Sequence, residues 1–283
     1  LAGSDAWECT SIHTATAVTL ETDINFDADG DAWISYQGGS ADAYVARYVG
    51  SGGTGCADTA WTCEAVWTSG GVGDGSSIAF APDGSAHLSF GDTGNDLNYA
   101  VYVGAGGDCD TAQSGSDAWD CTEIDTVSGD DTWTSLAFAP DGNPWVSYYD
   151  AGGQDLRIAR YVGSGGTGCT SSAWTCIDIV NTSNVGAYNA LSFDGDGNAV
   201  VSYNNATGND LEIAYVDRGG EVLTSPGIAG ESGDSISESH SDMTAVTDTV
   251  SRDSADCISG GSSWNVGSWT DNQVIKDFTL PDG

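Results

Sequence analysis

Positive charge is the scarcest resource in this chain of 283 residues: six lysines and arginines stand against 42 aspartates and glutamates, a formal net charge of −36. Such a field repels phosphate backbones and anionic lipid headgroups, which excludes nucleic-acid binding. It also destabilises a compact state unless salt or divalent cations screen it, so high salinity or bound calcium is the expected setting. Long apolar runs are missing as well. No stretch of about 20 apolar residues could cross a membrane as a helix, and no targeting peptide is recognisable. Leu1 in place of an initiator Met leads us to expect a processed or a trimmed chain. No amphipathic segment of helical period and useful length occurs, which leaves strands to build the fold. Histidine is nearly absent, with His13, His87 and His240 scattered. Neither a His-Glu-x-x-His nor a Gly-x-Ser-x-Gly motif occurs, so the usual metalloprotease and serine-hydrolase chemistries are not indicated.

What the chain does contain is a repeat. Ile78-Ala-Phe-Ala-Pro-Asp-Gly-Ser-Ala-His-Leu-Ser-Phe90 returns as Leu136-Ala-Phe-Ala-Pro-Asp-Gly-Asn-Pro-Trp-Val-Ser-Tyr148, with weaker copies from Ile24 and Leu191; the Asp-Gly pairs at Asp29, Asp83, Asp141 and Asp196 are 54, 58 and 55 residues apart. An Asp-Gly between two short apolar runs marks a tight hairpin in which positive φ falls on Gly or Asp. A third strand follows each hairpin, as in Asp155–Val162, then a Gly-rich loop, then a fourth strand opening Trp-x-Cys at Trp7, Trp61, Trp119 and Trp174. A unit of about four antiparallel strands with two apolar faces cannot bury itself alone, and its standard solution is a blade of a β-propeller. The expected fold is therefore all-β: a propeller of four-stranded antiparallel blades, with four recognisable repeats over 1–217. Residues 218–283 are expected to be a divergent fifth blade or a strand-exchanging tail. The segment from Trp7 to His13 matches a fourth strand whose first three are missing upstream; a closed ring would recover them from the C-terminus.

The eight cysteines are phased with the repeat. Cys56 with Cys63, Cys109 with Cys121, and Cys169 with Cys176 each flank the loop into a fourth strand, which reads as local disulfides of an exported protein. Cys9 and Cys257 are left over, to pair within one chain or between chains. Asn181-Thr-Ser and Asn205-Ala-Thr fit the glycan-acceptor pattern. Two hairpin loops, Asp27-x-Asp29-Gly-Asp31 and Asp194-x-Asp196-Gly-Asn198, set three oxygen side chains at alternate positions, as short calcium loops do; plain Asp-Gly turns are the alternative. Asp42, Asp96, Asp155 and Asp210 recur just before the third strand, as turn caps or as a ring of carboxylates. His87 sits in a column otherwise filled by Trp33, Trp145 and Val200 and is expected to pack.

The phrase from Ser135 to Asp150, with Asp155–Ala159, resembles the propeller repeats of secreted bacterial proteins loosely related to sialidases. That resemblance implies the propeller fold and an extracellular setting. It would cast Arg47, Arg157, Arg160 and Arg218 as a carboxylate-binding cluster, although Ser192–Gly197 departs from the sialidase Asp-box. With no convergent polar site visible, the expected function is a non-enzymatic, extracellular structural repeat protein, self-assembling into a fibre or surface layer. The alternatives are a cell-surface glycan- or protein-binding module, with some of the Trp and Tyr residues stacking on sugars, and, more remotely, a sialidase-like glycoside hydrolase.

Overall fold

The computed structural model describes residues 9–14 and 22–216, apart from 40, 70, 93, 95, 127–132 and 182–183, together with strand backbones at 222–223, 235–238 and 248–251. Four antiparallel four-stranded sheets follow one another along the chain. Blade 1 comprises β1 (Thr22–Phe26), β2 (Ala32–Gly38), β3 (Asp42–Tyr48) and β4 (Trp61–Trp67). Blade 2 comprises β5 (Val72–Phe80), β6 (Ala86–Asp92) and β7 (Leu97–Tyr102), then a one-turn helix α1 (Cys109–Gln113) and β8 (Trp119–Asp125). Blade 3 comprises β9 (Thr134–Phe138), β10 (Pro144–Asp150), β11 (Asp155–Tyr161) and β12 (Trp174–Val180). Blade 4 comprises β13 (Val185–Phe193), β14 (Ala199–Asn205), β15 (Asp210–Val216) and β16 (Val222–Leu223). Residues 224–283 form a second unit, whose described part is a hairpin of β17 (Ser235–Glu238) and β18 (Asp248–Ser251). Of 218–283, the expected fifth blade or tail, β16 pairs with β15 of blade 4 and β17 pairs with β18; the remainder, with Cys257, falls outside the described residues.

Each blade starts as its sequence dictates. Gly30, Gly84, Gly142 and Gly197 hold φ of 85, 90, 85 and 83° in the hairpin turns, the left-handed region that glycine enters without a Cβ penalty. The turns close alike: Asp27, Ala81, Ala139 and Asp194 each donate their N–H to the carbonyl four residues on. The periodic phenylalanines then dock on the preceding blade, edge-on to the column where Trp and His alternate: Phe80 on Trp33, Phe138 on His87 and Phe193 on Trp145, with centroids 5.7, 5.0 and 5.5 Å apart. Phe26 heads the first described blade, has no such partner among the described residues and is 58% exposed.

Buried polar groups repeat at the same seams. Ser76 donates to Ser35, Ser89 to Thr134, and Ser147 to Asn189, each joining a first strand to the second strand of the blade before it. One residue further along, Asp23, Ser77 and Ser135 accept the backbone N–H of Ile78, Leu136 and Leu191 at 2.9, 3.1 and 2.9 Å. A hydrogen-bonded polar layer fixes register between sheets whose apolar faces alone would tolerate sliding. Disulfides Cys56–Cys63 and Cys169–Cys176 span seven residues and Cys109–Cys121 spans 12, the longer loop being where α1 fits. Cys9 is exposed.

Candidate functional site

The first strands of blades 2, 3 and 4 lie side by side, and β5 and β13 enter their sheets through the same double register slip, with Gly73 and Gly75 in blade 2 where blade 4 has Gly186 and Tyr188. In β13 the register slips twice, between Val185 and Ala187 and between Ala187 and Ala190. Gly186, at φ +104°, makes the bulge sterically possible: a Cβ there would stand 2.8 Å from the Leu156 Cα of blade 3. Asn189, 9% exposed, locks it, its Nδ2 donating to the carbonyls of Gly186 and Trp133 at 3.0 Å each while its Oδ1 accepts from Ser147. Between these two anchors Tyr188 is held at φ +51°. Left-handed backbone is a genuine outlier for a bulky residue, and such outliers persist only where their surroundings over-determine them.

Tyr188 is also the second most exposed large hydrophobic residue among those described, at 66%. Its ring leans on Trp133, the residue just before β9, with centroids 4.7 Å apart and planes at 46°; Trp133 in turn meets Tyr149 of β10 at 5.4 Å. Tyr149 donates its hydroxyl to Asn184 Oδ1 at 2.9 Å. Two neighbouring blades thus present a ledge of aromatic rings, one backed by packing and one open to solvent. Such rings offer flat apolar faces to the C–H faces of sugars. The sequence reading missed both Trp133 and Tyr188. The signal lies in the columns: counting back from Ile78, Leu136 and Leu191, they stand where blade 2 has Gly75, which itself sits at φ +52°.

The expected local cysteine pairs are disulfides, and the carboxylates singled out by sequence lie in the turns. Asp27 Oδ1 accepts the N–H groups of Asp29 and Asp31, and its Oδ2 accepts the Trp33 indole N–H. Asp194 accepts from Asp196 N, Asn198 N and Asn198 Nδ2. The Asn198 amide, helped by the other donors, holds the Asp194 carboxyl below its ordinary pKa. Both loops, with Asp29, Asp31, Asp196 and Asn198, are built as hairpin turns. Among the described residues no group of three or more His, Cys, Asp or Glu side chains is arranged to hold a metal ion. In blades 2, 3 and 4 the turn before the third strand is capped by the residue that ends the second strand, Asp92, Asp150 and Asn205 accepting its amides. Asn205 also donates its Nδ2 to Glu212, whereas Asn181 is exposed.

The arginines do not converge. Arg47 and Arg160 occupy one register position in blades 1 and 3, over the rings of Trp33 and Trp145, while Arg218 falls outside the described residues. Arg157 is consumed by a clamp between blades 2 and 3. Its Nη1 reaches Asp125 at 2.6 Å, Nε reaches Asp178 at 2.8 Å, Nη2 donates to the Gly168 carbonyl, and Asp150 lies at 3.7 Å. Tyr148 donates to the same Asp125 oxygen at 2.8 Å. Burial, then the charges of Asp178 and Asp150, push the Asp155 carboxyl above its ordinary pKa.

Ser85 and His87 resemble a nucleophile and its base but are polarised the wrong way. The Ser85 hydroxyl donates to Asp83 at 2.6 Å, so its oxygen accepts from His87 Nε2 at 2.8 Å and His87 Nδ1 accepts from Tyr99. Burial, opposed by the Asp83 charge, lowers the His87 pKa to about 4. The packing role expected for His87 holds against Phe138. In blade 1 a cleft of about 210 Å³ lies between Ile12, His13 and β2, with the Tyr36 hydroxyl 2.8 Å from His13 Nδ1.

No family model and no curated protein matches the chain. Among solved structures it is similar to an ulvan lyase of polysaccharide lyase family PL25 bound to -[GlcA(1-4)Rha3S]-, at 14% identity and a TM-score of 0.44, over 70% of this chain and 53% of that one. It is also similar to an endo-1,4-β-xylanase from Bacteroides thetaiotaomicron (13% identity, TM-score 0.40, 71% and 73% covered). An endo-arabinase from the same organism gives 14% identity, a TM-score of 0.41, and 77% and 78% covered. The chain spans about half the length of the ulvan lyase. At these identities and TM-scores the likeness carries nothing about function, and the all-β propeller fold rests on the four antiparallel four-stranded sheets. These solved structures are carbohydrate-processing enzymes, and none is a structural protein of the kind expected, a non-enzymatic repeat forming an extracellular filament or surface layer. The sialidase-like expectation finds no support in the arginines. Among the described residues no helix is long and apolar enough to cross a membrane.

Proposed function

We propose that this chain is a disulfide-stapled, extracellular, carbohydrate-active propeller whose glycan lies across the Trp133–Tyr188 ledge. The observation that carries the reading is Tyr188: an aromatic side chain left open to solvent on a backbone held in a conformation that disfavours it. Nothing in the packing of blade 4 requires a ring there, since blade 2 fills the same column with Gly75. Strain retained at an exposed position indicates use. The three disulfides support an oxidising compartment.

The test is affinity electrophoresis through gels containing single polysaccharides, followed by incubation of the retarding polymers with the protein. New reducing ends would show hydrolysis, and near-ultraviolet absorbance of unsaturated sugars would show elimination. The reading predicts retardation by at least one polymer that Tyr188→Ala removes. Retardation by none, or retardation that Tyr188→Ala leaves intact, refutes it.

A further inference from the structure

Resting on that reading, we infer that the glycan taken by the ledge is an uncharged hexose or pentose polymer, and that polymers carrying uronate or sulfate are excluded. A site for an anionic sugar places a cation where the carboxylate or sulfate falls. The cations among the described residues are Arg47, Arg157 and Arg160, and their ring contacts and ion pairs are made to groups other than Trp133 and Tyr188. Arg47 lies between Trp33 and Tyr102 and donates to the Tyr102 hydroxyl; Arg160 lies over Trp145; Arg157 is held by Asp125, Asp178 and the Gly168 carbonyl.

Among the described residues, the side-chain amides bonded to the ledge are those of Asn184 and Asn189. Asn189 is buried with its amide fully engaged. Asn184 uses its Oδ1 to accept from Tyr149, leaving Nδ2 to donate to a sugar hydroxyl. Two aromatic faces and one amide donor are suited to the C–H face and hydroxyl rim of a neutral sugar ring. Around them the protein carries a formal charge of −36, which opposes any polyanion before contact is made.

Two variables separate the inference from the reading beneath it. Xylohexaose and cellohexaose serve as neutral probes and a galacturonate hexamer as the anionic one. Each is titrated calorimetrically into the wild-type protein and Tyr188→Ala, at about 10 mM and about 150 mM NaCl, where the screening lengths are about 30 and 8 Å. We expect a neutral hexamer to bind equally well at both salt concentrations and to lose about tenfold or more in affinity with Tyr188→Ala, a loss of the size one stacked ring supplies. The galacturonate hexamer should bind at least tenfold more weakly at low salt. Tighter binding of galacturonate than of the neutral hexamers at low salt, lost with Tyr188→Ala, overturns the inference and leaves the glycan reading standing. Binding of any probe that is indifferent to Tyr188→Ala, and equally to Tyr188→Gly, overturns both.

Discussion

Replacing Tyr188 by glycine should leave the protein more stable than replacing it by alanine, the reverse of the usual ranking in a strand. At φ +51° a residue with a Cβ pays about 1–2 kcal/mol, which glycine escapes. The ring itself is 66% exposed, so truncation forfeits about a third of a full aromatic burial, about 0.5–1 kcal/mol, plus a similar amount from the contact with Trp133. Alanine loses the contact and keeps the strain, which predicts destabilisation by about 1–2 kcal/mol. Glycine loses the contact and the strain together, and after its own backbone entropy cost of about 0.5–1 kcal/mol it should fall within about 1 kcal/mol of wild type. A difference of about 1 kcal/mol between the variants corresponds to about 2–4 °C in Tm for a chain of this size, within reach of differential scanning calorimetry. An alanine variant as stable as the glycine variant, or more so, would refute the claim that this backbone is strained.

Arg157→Ala should cost about 3–5 kcal/mol in chemical denaturation, because it strands Asp125, whose side chain is 6% exposed, without its partner. Arg157→Lys should recover little of this, since an ammonium cannot reach Asp125, Asp178 and the Gly168 carbonyl at once. His87 supplies a pH dependence whose sign follows from its depressed pKa. The folded protein keeps the imidazole neutral down to about 4, while the unfolded chain takes up a proton below about 6.5. The stability this gives is complete above pH 6.5 and is lost as pH falls toward 4, about 2 kcal/mol of it by pH 5. Urea melts of His87→Phe should show that loss between pH 7 and pH 5 removed.

Much of the fold was legible because one phrase is written four times. The Asp-Gly turns, the Trp-x-Cys strands and the phased cysteines all report local chemistry, and local chemistry survives the passage from chain to structure. The repeat also marks a Phe column, in which Phe80, Phe138 and Phe193 each find the ring of the preceding blade whereas Phe26 is 58% exposed. The ledge was not legible. Tyr188 stands out only once Gly186 and Asn189 are seen to set a bulge, and Asn189 does so through Ser147 and Trp133 of another blade. Trp133, for its part, joins no Trp column, so a periodic reading passes over it. The arginines misled for the opposite reason: a shared type on shared strands suggested one cluster, whereas Arg47 and Arg160 stand two blades apart and on a different row from Arg157. Both sets of residues depend on contacts between repeats, which no single repeat encodes.

The account rests on glycan lying against Trp133 and Tyr188, and nuclear magnetic resonance of the 15N-labelled protein tests that contact most directly. Titration with the polysaccharide fragment that binds best should shift the Trp133 indole resonance and the Tyr188 and Asn184 backbone amides, leaving Trp145 and Trp174 in the core unmoved. Shifts confined to another blade, with the Trp133 indole unchanged at saturation, would contradict it.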